Sequence, residues 1–117
     1  MKKLNQKIIY TSVLDAGIML IKVYHQKESS SYYNQMLELL KHNKNHSKLP
    51  NDIPSDITVY NKTGEYEDFG VQNDSCIFET SNSSYIVVVL SQDGDATEQV
   101  NAMIQFGSDL YSLLGGN

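Results

Sequence analysis

The sequence is poor in the residue types that mark several specialised classes of protein. Its single cysteine, Cys76, excludes an intrachain disulfide and any metal site built from several thiolates. It has two prolines and no long apolar run, and its 40% apolar residues are typical of an ordinary globule. We therefore predict one domain without a membrane span, in which Cys76 is a small buried residue of a strand.

Basic residues are also scarce, because nine Lys and Arg face fourteen Asp and Glu, for a net charge of −5. Binding to a phosphate backbone needs a basic surface, so we expect no nucleic-acid partner. The start, "MKKLNQKIIYTSVLDAGIMLIKVY", has the basic and then apolar order of a signal peptide. Asp15 and Lys22 interrupt its apolar part and no small-residue cleavage site follows, which favours an amphipathic helix and a cytoplasmic chain as it stands.

Helical periodicity dominates the first third of the chain. Ser12 opens a capping box, and the apolar residues that follow it predict a helix to about Gln26. A second helix, capped by Ser30 or Ser31, is predicted to end near His42. The next segment, "NKNHSKLPNDIPSD", is polar and holds both prolines, so we predict a loop there.

Three predicted strands follow, "DITVYNKTG", "DSCIFETS" and "SSYIVVVLSQ", each bounded by turn residues. The tight connection "TSNSS" and the longer loop "GEYEDFGVQN" predict an antiparallel meander. A last helix begins after the cap Asp95 and ends at Gly115, and Gly107 on its apolar side predicts a close approach to the sheet. The predicted fold class is therefore α+β, a three-stranded antiparallel meander with two N-terminal helices and a C-terminal helix packed on the sheet.

The third strand is unusual because residues 85–90 are apolar without alternation, a pattern typical of a central strand buried on both faces. A meander in this order leaves that strand at an edge, where an exposed apolar strand favours association. We therefore predict a homodimer or a segment-exchanged oligomer through Ser84–Ser91. A proline or lysine at Val87 or Val89 is expected to abolish it.

The tripeptide Lys62-Thr63-Gly64 closes the first predicted strand. An ammonium and a hydroxyl placed side by side can hold a carboxylate, and glycine lets a ligand lie close to the backbone. The alternative is a strand that ends in a solvated lysine and a turn glycine. Taken alone, the tripeptide is a weak signal and favours this alternative.

With this motif, the layout of the chain resembles the serine β-lactamases and penicillin-recognising D,D-peptidases, specifically their class A-like branch. In that family two helices and a proline-bearing loop lead into a strand ending in Lys-Thr-Gly or Lys-Ser-Gly, followed by two antiparallel strands and a C-terminal helix. Here "TSVLDAGIMLIKVYHQ", "SSYYNQMLELLKHN", the strands and "ATEQVNAMIQFGSDLYSLL" follow that order. The resemblance implies that residues 1–117 are one partial domain, the C-terminal part of a β-lactamase-like five-stranded sheet.

The resemblance also implies roles for four residues, in a substrate-binding site that needs no metal or other cofactor. Lys62 would supply positive potential, and Thr63 would hydrogen-bond the substrate carboxylate. Gly64 would permit close approach, and the backbone N–H of Glu65 would be one of two oxyanion-hole donors. The other donor belongs to the nucleophilic serine.

That serine is missing from this chain. The family places it in Ser-x-x-Lys, and no serine here has a lysine three residues later. Ser-Asp-Asn is also missing, and its nearest match, Ser55-Asp56-Ile57, lies directly before the Lys-Thr-Gly strand. We therefore assign no catalytic residue and predict that the chain is inactive alone. A β-lactam or D-Ala-D-Ala ligand is expected only if an N-terminal partner fragment completes the site.

The family offers an explanation of the third strand as well. Its equivalent pairs on the far side with an N-terminal strand that this sequence lacks, and the parent family is extracytoplasmic. The alternative hypothesis is a non-catalytic binding or assembly module that keeps the fold and associates through the edge of strand 84–91.

Two further patterns contain residue types that bind metals. His42-x-x-x-His46 has a spacing that suits two ligands on one helical face, but it lies at a helix exit without an evident third ligand. "QDGDATE" lacks the ligand spacing of a calcium loop and is better interpreted as a capped helix start. We therefore expect no metal.

Overall fold

A computed structural model describes residues 10–115. Helix α1 spans Val13–His25, and the hydroxyl of its N-cap Ser12 accepts a hydrogen bond from the Asp15 N–H at 3.1 Å, as the capping box predicts. Helix α2 spans Ser31–Lys41 and begins after Ser30. Both helices place apolar side chains against the same face of the sheet.

The sheet is the predicted antiparallel meander, so the α+β class is confirmed. Strands β1 (Thr58–Tyr66), β2 (Val71–Glu79) and β3 (Ser84–Ser91) lie in the order β1-β2-β3. The first connection is shorter than predicted, because most of "GEYEDFGVQN" belongs to the two strands and pairs down to Tyr66 and Val71. A single 3-10 turn over Glu67–Phe69 closes the hairpin.

Helix α3 spans Ala96–Leu110 and covers the other face of the sheet, and a π-helical turn over Tyr111–Gly115 follows it. Its cap is the predicted one, since the Asp95 carboxylate accepts from the Glu98 N–H at 3.0 Å. Gly107 makes the predicted close approach, but its partner is a loop and not the sheet. A Cβ at Gly107 would lie 2.0 Å from the carbonyl oxygen of Leu49.

Two apolar clusters sandwich the sheet. The cluster under α3 contains Cys76, which is fully buried as predicted, together with Leu49, Ile53, Val59, Phe78, Val87 and Met103. The cluster under α1 and α2 contains Val23, Leu37, Tyr60 and Ile77. In β3 only Val87 is buried, so the burial on both faces that its apolar run predicts is not reached within residues 10–115.

No helix in this part of the chain combines the length and the apolar character needed to cross a bilayer.

Candidate functional site

The Lys-Thr-Gly motif lies in β1, an edge strand that pairs only with β2 among the described residues. The strand does not end at the motif as the sequence suggested, because Glu65 and Tyr66 continue the ladder opposite Gln72 and Val71. The backbone of the motif is therefore held straight and in register over its whole length. Its outer row of N–H and C=O groups faces away from β2.

Lys62 and Thr63 lie on opposite sides of β1, because neighbouring residues of a strand alternate. Tyr60, two residues before Lys62, belongs to the cluster under α1 and α2, whereas Val59, four residues before Thr63, belongs to the cluster under α3. The Lys62 side chain is exposed, and its Nζ donates to the Thr63 carbonyl oxygen at 2.5 Å. The two side chains therefore flank the strand edge and do not stand side by side as expected.

The Thr63 hydroxyl lies in a covered polar network. It donates to Oε1 of Glu65 at 3.3 Å and accepts from Nδ2 of Asn45 at 3.2 Å. Only 5% of the residue is exposed. The carboxylate of Glu65 therefore lies beside the hydroxyl that the family resemblance assigns to a substrate carboxylate.

Gly64 has no packing reason to be a glycine within the described residues. A Cβ at this position would meet only the Asn73 side chain, at 3.8 Å, which is an ordinary van der Waals distance. Its φ is not in the left-handed region either, in contrast to that of Gly70. This observation favours the interpretation that the space next to Gly64 serves a ligand.

A second lysine, Lys48, lies inside the site and was not found from the sequence. Its side chain is 4% exposed, and Nζ lies 3.1 Å from the Asn73 carbonyl oxygen and 3.4 Å from that of Gly64. The same nitrogen lies 3.4 Å from Oε2 of Glu65. Lys48 sits in the polar loop before β1, where periodicity gives no signal about which side chains turn inward.

Beneath the motif, Asp74 of β2 is fully buried. Its carboxylate accepts from the Leu49 N–H at 3.1 Å and from Nδ2 of Asn61 at 3.3 Å. Burial raises the pKa of Asp74, and the hydrogen bonds and the positive charge of Lys48 offset part of that rise. Asp74 thus anchors the loop that contains Lys48 and Leu49 to β2, the strand next to β1.

The cysteine and the histidines offer no competing site. Burial, assisted by the neighbouring Asp74, raises the pKa of the Cys76 thiol, which keeps it in the unreactive protonated form. The ring nitrogen Nδ1 of His42 lies 2.7 Å from the Glu38 carbonyl oxygen on the surface. Within residues 10–115, no three side chains of the metal-ligating types come together.

Known proteins with similar structures are β-lactamases and related penicillin-binding proteins. The β-lactamase from Sphaerobacter thermophilus superposes with a TM-score of 0.76 at 20% identity, over 88% of this chain and 40% of that protein. A class A β-lactamase from Bacteroides cellulosilyticus superposes with a TM-score of 0.73 at 18% identity, over 92% of this chain and 42% of that protein. PBP-A superposes with a TM-score of 0.74 at 17% identity, over 92% of this chain and 41% of that protein.

The chain thus spans about two fifths of the length of these structures. At such identities the likeness shows the fold, and the fold is the one that the resemblance implied. A comparison with curated protein sequences gave no match. The model of the "Beta-lactamase enzyme family" matches residues 1–114, which is nearly the entire sequence. The chain therefore belongs to the β-lactamase enzyme family.

Proposed function

We propose that this chain supplies the substrate-binding edge strand of a β-lactamase-like serine hydrolase and is inactive without a segment that carries the nucleophile. The ligand class is a β-lactam or an acyl-D-Ala-D-Ala peptide. The observation that carries the proposal is the outer edge of β1, which has no strand partner among the described residues. This edge presents the Lys62-Thr63-Gly64 backbone with a lysine on one side and a threonine on the other.

An edge strand suits a peptide-like ligand because no strand pairs with its outer backbone groups among the described residues, and the ligand's amides can take that place. The Glu65 N–H is then a preorganised donor for an oxyanion, since β-pairing on the other side holds the strand in place. The exposed ammonium of Lys62 favours a ligand with a negative charge. Gly64 leaves the ligand room to approach the backbone.

The segment that completes the site needs a place to pack, and α1 offers one. An apolar helix face that is exposed among residues 10–115 is typical of a surface that another segment covers. The sequence has no Ser-x-x-Lys, so we assign the nucleophile to that segment. The large exposed apolar side chains of α1 are Val13, Leu14, Ile18, Met19 and Ile21.

The test combines the chain with a polypeptide that carries Ser-x-x-Lys and Ser-Asp-Asn, taken from the remaining part of a solved relative. We expect no hydrolysis of a chromogenic cephalosporin by the chain alone and measurable hydrolysis by the mixture. Lys62→Ala should lower kcat/KM of the mixture by about 100-fold, because it removes a charge next to the reacting group. Lys44→Ala, which removes an equal charge from an exposed loop residue, is the matched control. Hydrolysis by the chain alone that survives replacement of every serine contradicts the proposal.

A second candidate function is assembly through β3, supported by a different observation. β3 has an unpaired edge among the described residues, and beside it lies an apolar groove of about 500 Å³ whose lining includes Val89, Met103 and Phe106. The occupant that we propose is the β3 strand of a second copy, paired antiparallel about a two-fold axis. In this function Lys62 has no part.

Sedimentation at increasing concentration tests the assembly. Val89→Lys should abolish dimers, because it places a charge at the apolar edge, and Gln105→Lys on the exposed side of α3 should leave them intact. Val87 is the poorer position for this test because its side chain is buried in the core. Lys62→Ala should not alter the association. A wild-type chain that stays monomeric at high concentration rules out this candidate.

A further inference from the structure

The carboxylate of Glu65 is hydrogen-bonded to the very groups that would bind the carboxylate of a ligand. We propose that Glu65 is a specificity-determining residue whose side chain occupies this anion-binding position, so that the carboxylate of a ligand has to displace it. The inference rests on the proposed function, because it concerns the same site. It assigns Glu65 a side-chain role in addition to the backbone donor role that the family implies.

Both oxygens of the carboxylate are engaged. Oε1 accepts from the Thr63 hydroxyl at 3.3 Å, and Oε2 lies 3.4 Å from Nζ of Lys48. A hydroxyl has a single proton to donate, and Thr63 gives it to Glu65. While that bond is formed, Thr63 cannot donate to a ligand.

The charge of Lys48 explains why this position needs an anion. Lys48 is almost fully buried, and a buried ammonium is costly unless a negative group neutralises it. Among the described residues Glu65 is its salt-bridge partner, and the two carbonyl oxygens of Gly64 and Asn73 complete its contacts. Asp74 also faces Lys48, but its oxygens are held by Leu49 and Asn61.

Of the two ionic partners, Glu65 is the one that is free to leave. Its side chain is 42% exposed, whereas that of Lys48 is 4% exposed. Both contacts of the carboxylate are at the long end of the hydrogen-bond range, which indicates weak bonds. A ligand carboxylate that replaces Glu65 would neutralise Lys48 equally well, and Glu65 would turn into solvent.

This arrangement weakens the binding of ligands with a free carboxylate and does not affect ligands without one. A ligand with a carboxylate has to compete with Glu65, and the displaced Glu65 carboxylate repels the negative charge of the ligand. A ligand whose carboxylate is esterified does not enter this position and does not compete. Replacing Glu65 with glutamine should therefore improve the first class alone.

The experiment uses the reconstituted mixture described above and compares benzylpenicillin with its methyl ester. Glu65→Gln should raise the rate of acylation by benzylpenicillin about tenfold, since it removes the charge that competes for this position and leaves Lys48 without a counter-charge. The rate with the methyl ester should not change. Glu67→Gln, which removes an equal charge from the exposed turn after β1, is the matched control.

A second variant separates this role from a purely structural one. In a Lys48→Met background, Glu65→Gln should give no gain with benzylpenicillin, because the buried charge that demands an anion is gone. Circular dichroism confirms that each variant is folded. A gain that persists without Lys48 overturns the inference.

The outcomes also separate this inference from the proposed function. If the wild-type mixture is acylated and Glu65→Gln leaves the ratio between penicillin and ester unchanged, the inference is wrong and the proposed function stands. If neither the wild type nor the Glu65→Gln mixture is acylated, the proposed function is overturned, and the inference falls with it.

Discussion

The two edges of the sheet differ in chemistry although neither has a strand partner on its outer side among the described residues. The β1 edge lies over buried polar groups, of which Lys48, Asn61 and Asp74 are almost or fully inaccessible. The β3 edge consists of apolar side chains that are mostly half-buried. A polar edge can stay open in water and bind a ligand, whereas an apolar edge is stabilised when another strand covers it. The lack of a neighbouring strand alone therefore does not indicate the function of a sheet edge.

The largest expected effect concerns the support of the β1 edge. Gly107→Ala should lower the free energy of unfolding by about 3 kcal/mol, because its Cβ would collide with the backbone of Leu49. Gly17→Ala is the matched control, since a Cβ there meets nothing within 4 Å, and it should stabilise α1 by up to about 1 kcal/mol. Urea denaturation measures both. Equal effects of the two changes would mean that the Leu49 loop does not support the edge.

The next largest effect contrasts the two lysines of the β1 edge. Lys48→Ala should cost about 2 kcal/mol of stability, since it removes a buried donor to two carbonyl groups and to Oε2 of Glu65. Lys62→Ala should change stability by less than about 0.5 kcal/mol, because the side chain is exposed. Thermal and urea unfolding of the two variants test this difference. A larger loss for Lys62 would reverse the assignment of the structural and the ligand-binding lysine.

A third effect depends on pH. Burial raises the pKa of Asp74 above its ordinary value of 3.8, so the folded state holds this proton more tightly than the unfolded state does. The contribution of Asp74 to stability is therefore full below about pH 3.8 and is lost as the pH rises through its folded pKa. The Asp74→Asn variant should not show this loss of stability with rising pH. Asp109→Asn, on the exposed side of α3, controls for the removal of one charge in urea titrations between pH 3 and neutrality.

The smallest effect is expected at the β3 edge. Val88→Thr replaces a half-buried methyl with a hydroxyl of similar size and should cost about 0.5 kcal/mol at concentrations where the chain is monomeric. Urea denaturation of dilute protein is the measurement. A loss above about 2 kcal/mol would show that this edge is packed as tightly as the core, and the contrast with β1 would disappear.

Local signals were sufficient for most of the fold. Ser12 and Asp95 are recognisable because a cap depends on residues three positions apart, and both caps are formed as predicted. The extent of the β1–β2 hairpin was predicted wrongly because Glu65, Gln72 and Asn73 are polar. Their place in the ladder depends on backbone pairing, which polar side chains do not reveal.

The candidate site could be predicted only where a motif names it. Lys62, Thr63 and Gly64 stand together in the sequence, whereas Asn45 and Lys48 reach the same site from a loop that has no periodicity. The contact between Gly107 and Leu49 could not be predicted for a similar reason, because the two residues lie far apart in the sequence and no local pattern connects them. Side chains that meet through tertiary folding leave no pattern in a single sequence.

The backbone of Leu49 connects the region beneath the motif to the last helix. Its N–H is bound by Asp74 beneath the motif, and its carbonyl oxygen presses against Gly107 of the last helix. As a ribosome makes the chain from the N-terminus, β1 and its motif emerge well before α3 does. We therefore expect the binding edge to mature only when the last helix is released, which makes the site a late product of folding even though its sequence is made early.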